Sequence, residues 1–477
     1  MGMHLAPWIF AHLFGIVGFL LAIALIPRIL LERRHPGATV AWILAVGLVP
    51  YVGVPLYFLI GGRRVEKVAQ KGDDRGVERE IEEGAPIFEG LTEGSRKIAR
   101  ILVRSGVWPP SRDNELMIID DGVKAYEVLY DLIENAEESI EIATFILGRD
   151  DVGRSLLRLL VKKAEAGVEV RLLLDALGCL RTRGRFVDPL RKAGGQVGIF
   201  LPLLSLRRRS SANLRNHRKM AIADGRRAFV GGMNLAREYM GPEPYEGRWK
   251  DVSMLMTGGA VAHVRDYFWK DWVFSTSEEM DLERYCPVSF GRSPAEQVVQ
   301  VVGDGPDASE RPLYAGVLAA LNRAVEDIWV VTPYFVPDDA LSASLVLAAR
   351  MGCRVHVIIP EKSNHPLVDL AGRSYISDLI RSDVRFYFYQ PGMLHAKLFV
   401  IDRQVAVVGS ANMDIRSFQL NFEIANFLYD EKSIGDVLRV VRRIMGDSRE
   451  VRRKELEGRG RWRAFSEDIC RVFSPLL

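Results

Sequence analysis

Two stretches of this chain carry the same reactive side chains at the same spacing. Asn216 to Asn234 reads NHRKMAIADGRRAFVGGMN, and Leu394 to Asn412 reads LHAKLFVIDRQVAVVGSAN. In each, His is followed two residues later by Lys, five further on by Asp, and, after an apolar run, by Gly-Gly or Gly-Ser and an Asn. The copies lie about 180 residues apart, far above the period of a solenoid. On an extended chain His217 and Lys219, and likewise His395 and Lys397, project to one face. A shared anion is the natural target of such a pair. Imidazoles that are neutral near pH 7, fixed cations and the carboxamides of Asn234 and Asn412 together suit attack on a phosphodiester through a covalent phosphohistidine.

Other chemistries find less support. No carboxylate cluster has the spacing of a magnesium site, so neither a metal nor another cofactor is expected. Cys179, Cys286, Cys353 and Cys470 are scattered, form no C-x-x-C pair and read as reduced, structural thiols. Lys and Arg total 64 against 61 Asp and Glu over 477 residues. That balance lacks the long single-sign field expected of a nucleic-acid binder, and no nucleic-acid partner is expected.

The elements around the motifs repeat as well. Helical periodicity over Val123–Ile133 and Arg154–Ala166 alternates with strand-like runs over Ser139–Ile146 and Val168–Leu174. The same order recurs as Leu313–Ala324, Ile328–Thr332, Leu341–Ala349 and Cys353–Ile359, each series preceding its copy of the motif. The pattern predicts an α/β fold of two similar sandwich-like halves. Asp224-Gly225 and Asp402-Arg403-Gln404 mark tight hairpins that turn the chain back, so that Asn234 can approach His217 and Lys219.

The N-terminus has a different character. Leu5–Ile26 is almost uncharged and long enough for a helix to cross a bilayer core of about 30 Å. Ala38–Ile60 is also apolar but interrupted by Gly47, Pro50, Gly53 and Pro55, so it either spans with a kink or re-enters, as an arm packed on the first. The pair reads as a transmembrane helical hairpin. Arg28, Arg33 and Arg34 on one side nearly balance Arg63, Arg64, Lys67 and Lys71 on the other. The denser basic residues and the free cysteines place the C-terminal part on the cytoplasmic side. Gly72–Gly84 reads as an acidic linker, and Arg96–Arg104 as an amphipathic helix that either packs on the body or lies on an anionic bilayer. The expected division is a membrane anchor over residues 1–62, a linker and amphipathic segment over 63–112, and two halves over 113–290 and 291–477.

The paired motif H-x-K-x-x-x-x-D followed by G-[GS]-x-N resembles the phospholipase D superfamily. RNHRK at Arg215, GGMNLAREY at Gly231, TPYFVPD at Thr332, GSANMDIRSF at Gly409, NFE at Asn421 and the closing RVFSPLL are similar to its bacterial cardiolipin synthase branch. The similarity runs over essentially the whole chain, paired N-terminal apolar stretches included. It implies two phospholipase D-type halves related by a pseudo-twofold axis, with no cofactor. It implies transfer of a phosphatidyl group between two phosphatidylglycerol molecules, giving cardiolipin and glycerol at an anionic phospholipid membrane. The implied location is the bacterial inner membrane, with a multi-pass anchor and a homodimer left open.

By the same resemblance, the catalytic set is His217, Lys219, Asp224, His395, Lys397 and Asp402. His217 is the nucleophile and His395 the general acid and base, although exchanging the labels fits nearly as well. Lys219, Asn234, Lys397 and Asn412 hold the phosphate, and Asp251 and Glu423 stand behind the histidines. Asp224 and Asp402 belong to the motif, yet their place at hairpin turns suits a structural role. Arg207, Arg208 and Arg209 read as attracting anionic headgroups or as a solvated loop. A hydrolytic phospholipase D, a nuclease or other phosphodiesterase of the superfamily, and an inactive membrane scaffold are the alternatives.

Overall fold

The computed structural model describes residues 5–32, 36–61, 88–202, 213–278, 296–308 and 310–474, with residues 5–15, 59, 60 and 457 described by backbone alone. Outside the described residues lie Arg33 and Arg34, the basic residues Arg63, Arg64, Lys67 and Lys71, the linker Gly72–Gly84, Arg207–Arg209 and Cys286. The chain forms two compact units, Met1–Ala69 with Leu201–Leu214, and Gln70–Phe200 with Arg215–Leu477.

In the smaller unit, α1 (Leu5–Leu31) packs against α2 (Pro36–Leu48) and α3 (Pro50–Leu56). Ala22, Leu25, Ile29, Val46, Val54 and Tyr57 form its core. Helices α2 and α3 approach so closely at Gly53 that a Cβ there would stand 2.2 Å from the Ala45 carbonyl oxygen. Two packed apolar arms are therefore present, but the expected transmembrane helices are not shown. Among the described residues no helix is long and apolar enough to cross a membrane. The physical reason is clearest in the second arm, which breaks at Val49, where Pro50 opens a new helix. The 13 residues of α2 rise only about 20 Å at ~1.5 Å per residue, short of a ~30 Å hydrocarbon core.

The larger unit repeats one strand order. Its first half contains β1 (Ser111–Ile119), α5 (Gly122–Glu134), β2 (Ser139–Thr144), α6 (Asp151–Glu165), β3 (Glu169–Asp175), α7 (Asp188–Lys192), β4 (Gln196–Phe200), β5 (Met220–Ala223), β6 (Arg227–Gly231), β7 (Ser253–Thr257) and α8 (Ala260–Thr276). The second contains β8 (Gln297–Asp304), α9 (Pro312–Arg323), β9 (Asp327–Val331), β10 (Phe335–Val336), α10 (Asp339–Arg350), β11 (Arg354–Pro360), α11 (Pro366–Leu379), β12 (Arg385–Tyr389), β13 (Leu398–Ile401), β14 (Val405–Gly409), β15 (Met413–Asp414), α12 (Ile415–Gln419), β16 (Glu423–Leu428) and α13 (Glu431–Gly446). β17 (Ser448–Glu450), α14 (Arg453–Glu457) and α15 (Arg461–Val472) follow.

The first half runs β1-β7-β6-β5-β2-β3-β4 and the second β8-β16-β14-β13-β9-β11-β12, element for element the same order. Antiparallel pairing of β1 with β8 joins them into one sheet. Each of the helices and strands read from periodicity lies within three residues of its expected bounds, because each buries apolar side chains at its own period. Corresponding helices also start alike: the Asp150 carboxylate accepts the Gly153 N–H at α6, and that of Asp338 the Leu341 N–H at α10.

The amphipathic helix α4 (Glu93–Arg104) settles its two readings by where it packs. Although it precedes the first half, Ile98, Ala99, Leu102 and Val103 join the core of the second. Ser95 Oγ donates to the Gln404 carbonyl at 2.7 Å. Its apolar face is thus used internally rather than offered to a bilayer.

Candidate active site

The β5–β6 and β13–β14 hairpins deliver the two motifs. Met220 pairs with Val230 in the first and Leu398 with Val408 in the second, which returns the Gly-Gly and Gly-Ser segments beside the lysines. Gly231 and Gly409 donate to the Lys219 and Lys397 carbonyls at 3.3 and 3.4 Å. At the far end of each hairpin the turn residues Asp224, Asp402 and Arg403 adopt left-handed conformations.

Those two aspartates are not at the site. Each lies five residues beyond its lysine along a strand, about 16 Å away at ~3.3 Å per residue. The Asp224 carboxylate accepts the N–H groups of Glu137, Glu138 and Ser139, which lead into β2. That of Asp402 accepts those of Val325, Glu326 and Asp327, which lead into β9. Their inclusion in the catalytic set is corrected: they are clamps that tie each hairpin turn to its neighbouring strand. Asp224→Ala or Asp402→Ala is expected to lower stability by about 1–3 kcal/mol through loss of hydrogen bonds to a charged acceptor, water replacing them at the exposed donors, while leaving turnover near wild type. Thermal unfolding alongside an activity assay checks this.

The remaining residues converge, and the carboxylates cross between halves. His217 Nδ1 lies 3.0 Å from both Glu423 oxygens, and His395 Nδ1 lies 2.6 Å from Asp251 Oδ2. The histidine of each half is therefore served by the carboxylate of the other. The backbone enforces this exchange. Asn216 bridges Phe422, with the His217 N–H donating to the Phe422 carbonyl at 2.8 Å; Lys250 bridges Leu394, with the His395 N–H donating to the Lys250 carbonyl at 2.7 Å. In both cases the residue before the histidine meets the residue before the opposite carboxylate. A carboxylate at Nδ1 holds the proton there and leaves the Nε2 lone pair free.

The two dyads differ in ways that fit their sequences. Ser410 Oγ donates to Glu423, and Asn421 Nδ2 donates to its Oε1 at 3.1 Å. The position matching Ser410 is Gly232, where a Cβ would stand 2.2 Å from Asp251 Oδ1. The glycine thus makes room for the shorter carboxylate, whose Oδ1 accepts the Val252 N–H at 2.7 Å instead. Arg218 donates from Nε to the Glu423 carbonyl at 3.0 Å and from Nη1 to Asp271 at 2.6 Å, fixing the first dyad further.

Lys219 Nζ donates to the His217 carbonyl at 2.6 Å. Lys397 donates to the His395 carbonyl and also lies against that ring, 2.6 Å from Nδ1, which it crowds together with Asp251, and 3.3 Å from Nε2. His217 is 9% exposed, against 4% for His395 and for Lys219 and 2% for Lys397, so it is the least buried of the four residues. Asn234 and Asn412 are buried nearby in sequence: Asn234 Oδ1 accepts the Ile146 N–H at 3.1 Å, and Asn412 Nδ2 donates to Asp414 at 3.0 Å. Sequence reasoning missed the aromatic walls. Phe145 stands 5.1 Å from the His217 ring, and Tyr239, Trp249 and Tyr334 stand 5.1, 5.4 and 6.5 Å from that of His395. Tyr239 and Tyr334 sit inside segments already singled out, but only the fold shows that they face a histidine.

Burial lowers the His217 pKa; Glu423 opposes this, and Lys219 and Lys397 add to it. Burial and then Lys397 push His395 down to about 3, against the pull of Asp251. Lys397 is itself pushed down to about 8, chiefly by burial. For Glu423 burial would raise the pKa, but His217, Lys219 and Ser410 outweigh it and hold the group at about 2. Each motif thus lies in the electrostatic field of the other, and both imidazoles rest neutral. The unfolded imidazole takes a proton near ~6.5, whereas folded His395 does so only at about 3. Between those values the unfolded chain binds more protons, so stability falls as pH drops below ~6.5. His263 and His356, each pushed down to about 4 by burial, add to the slope. Melting curves at successively lower pH should show this decline, and it should be shallower in His395→Asn.

The sequence of this fold has relatives. A family model described as "Cardiolipin synthase, PLD-like domain" matches residues 129–272 and 317–445, and one described as "Phospholipase_D-nuclease N-terminal" matches residues 8–62. Cardiolipin synthase 1 of Bacillus cereus is 32% identical, over 98% of this chain and 95% of its own. The major cardiolipin synthase of Bacillus subtilis is 33% identical, over 98% of this chain and 99% of its own. Among solved structures, a phosphatidylserine synthase from Haemophilus influenzae shares the fold, with a TM-score of 0.61 at 15% identity, over 80% of this chain and 97% of its own. With both halves and nearly the full length matched, the chain belongs to the cardiolipin synthase family of phospholipase D-like proteins.

Proposed function

We infer that the chain is a phosphatidyltransferase that joins two phosphatidylglycerol molecules into cardiolipin and releases glycerol. The observation that carries this reading is the pair of crossed His–carboxylate dyads, in a chain similar to cardiolipin synthases over almost its whole length. In the first step His217 Nε2 attacks phosphorus, the bond to the glycerol oxygen breaks, and His395 gives that oxygen a proton. In the second, His395 takes the proton of the acceptor hydroxyl, whose oxygen attacks phosphorus as the P–N bond breaks. Two features support this division. His217 is the less buried of the two residues, and the Lys397 ammonium lies against the His395 ring, 2.6 Å from Nδ1 and 3.3 Å from Nε2, where it would compete for a nucleophile's lone pair.

The lysines also influence protonation. Burial is the main cause that keeps the histidines neutral, and the lysines add to it. An anionic phosphodiester entering among Lys219 and Lys397 offsets the lysines' share and favours the protonated His395 that hands on its proton. Lys219, Lys397, Asn234 and Asn412 then stabilise charge growing on the nonbridging oxygens. Phosphoester bonds of similar energy are broken and made, so no nucleotide is consumed.

The smaller unit holds the chain at a bilayer. Phe19, Leu20, Leu31, Leu48 and Val52 are exposed on its helices, an apolar surface that suits lipid better than water. A bacterial inner membrane, with the site on its cytoplasmic side, fits this unit, the basic residues around it and the free thiols.

Incubating the detergent-solubilised protein with phosphatidylglycerol should give cardiolipin and glycerol in equal amounts. Phosphatidic acid as the sole lipid product would instead make the chain a hydrolytic phospholipase D.

A further inference from the structure

Helix α15 is amphipathic in the reverse sense to a surface helix of a soluble domain. It rests on α11. The face turned to the body carries Ala464, Glu467, Arg471 and Ser474, and Glu467 is 1% exposed. That face is held by polar contacts. Glu467 pairs with Arg459 at 3.2 Å and with Arg463 at 3.3 Å. Ser374 Oγ donates to Asp468 at 2.8 Å. Arg471 pairs with Asp378 and lies 4.3 Å from the Tyr375 ring centroid.

The opposite face is apolar and open. Trp462 is 84% exposed, Phe465 57%, Ile469 42%, Val472 75% and Phe473 52%. At about 100° per residue these positions fall in one stripe roughly 100° wide, so they form a continuous surface and not scattered exposures.

Charge indicates what covers the stripe. Arg461 and Arg463 flank Trp462. Glu467, the one buried carboxylate of the helix, is shared between Arg463 and the largely buried Arg459, and Asp468 accepts from Ser374, so the exposed border of the stripe keeps a net positive charge. An aromatic and aliphatic stripe bordered by arginines matches the interface of an anionic bilayer. Location fits as well. Helix α11 begins directly after His365, whose ring lies 5.4 Å from that of Tyr334, the residue walling His395.

We propose that α15 lies in the headgroup layer of an anionic bilayer, with Trp462, Phe465, Ile469, Val472 and Phe473 reaching the acyl chains. It forms a membrane contact made by the larger unit itself and sets the rim of the site against the lipid surface. The choice of anionic lipid rests on the phosphatidylglycerol reading, but the test reads binding and not turnover, so the two can fail separately.

The full chain is reconstituted into vesicles of phosphatidylglycerol brominated on its acyl chains, and in parallel into brominated phosphatidylcholine. The difference in tryptophan emission between wild type and Trp462→Phe isolates the Trp462 signal. Acyl-chain bromine should quench that signal by about twofold or more in the anionic vesicles and by clearly less in the zwitterionic ones. An unquenched Trp462 in brominated phosphatidylglycerol overturns the proposal, and equal quenching in both lipids overturns its anionic preference. Dimers in detergent that Phe465→Glu converts to monomers, with Trp462 shielded before lipid is added, would assign the stripe to a second copy of the chain instead.

Discussion

His395→Ala, given a phosphatidyl donor whose leaving group is p-nitrophenolate, is expected to release about one equivalent of nitrophenolate and then stall. That phenolate departs without a proton, so the first step does not need His395. The second step does, because the acceptor hydroxyl must lose its proton as it attacks. With phosphatidylglycerol as donor both steps need His395, and turnover should fall by about 10²–10⁴-fold, the usual worth of a positioned acid and base. His217→Ala should show neither burst nor turnover, a loss beyond about 10⁴-fold, since no covalent intermediate can form. Rapid-quench measurement of nitrophenolate separates the two variants. A burst in His217→Ala and none in His395→Ala exchanges their roles.

The second large effect follows from the crossing of the carboxylates. Glu423→Gln removes the charge behind His217 and offers an amide N–H where a carboxylate oxygen accepted the Nδ1 proton. The favoured tautomer is lost, and the nitrophenolate burst should slow by about 10²–10⁴-fold. Asp251→Asn acts on His395, so it should keep the burst and lose turnover. Each carboxylate variant is thus expected to reproduce the kinetic signature of the histidine in the opposite half. If Asp251→Asn loses the burst and Glu423→Gln keeps it, the crossing does not operate in catalysis.

That pairing marks the boundary of what the residues alone disclose. The motif, its duplication and the alternating helices and strands are legible because hydrophobic period and residue spacing are local properties. Glu423 and Asp251 are legible as carboxylates near each motif, but their partners lie 206 and 144 residues away. Only the bridges between Asn216 and Phe422, and between Lys250 and Leu394, decide which histidine each serves. For Asp224 and Asp402 the motif alone suggests a catalytic role, whereas their place at hairpin turns already suits the structural one that their three backbone N–H partners show. Helix α4 shows a related limit: its apolar stripe is visible in sequence, but its destination in the second half is a tertiary choice. At the N-terminus, apolar composition leaves the second arm open between a kinked crossing and a re-entrant one, and Pro50 divides it into pieces too short to cross.

The repeated strand order has an evolutionary consequence. A chain holding one half alone would possess a histidine and a carboxylate that cannot reach each other, so it could work only as a twofold pair in which each subunit lends its acid to its neighbour. Fusion into one chain removes the need for identical copies. Each dyad could then drift as a unit, one keeping the longer carboxylate with Ser410 and the other the shorter with Gly232. Fusion therefore permits an asymmetry that a pair of identical subunits cannot hold: two dyads of one layout with different carboxylates and different neighbours.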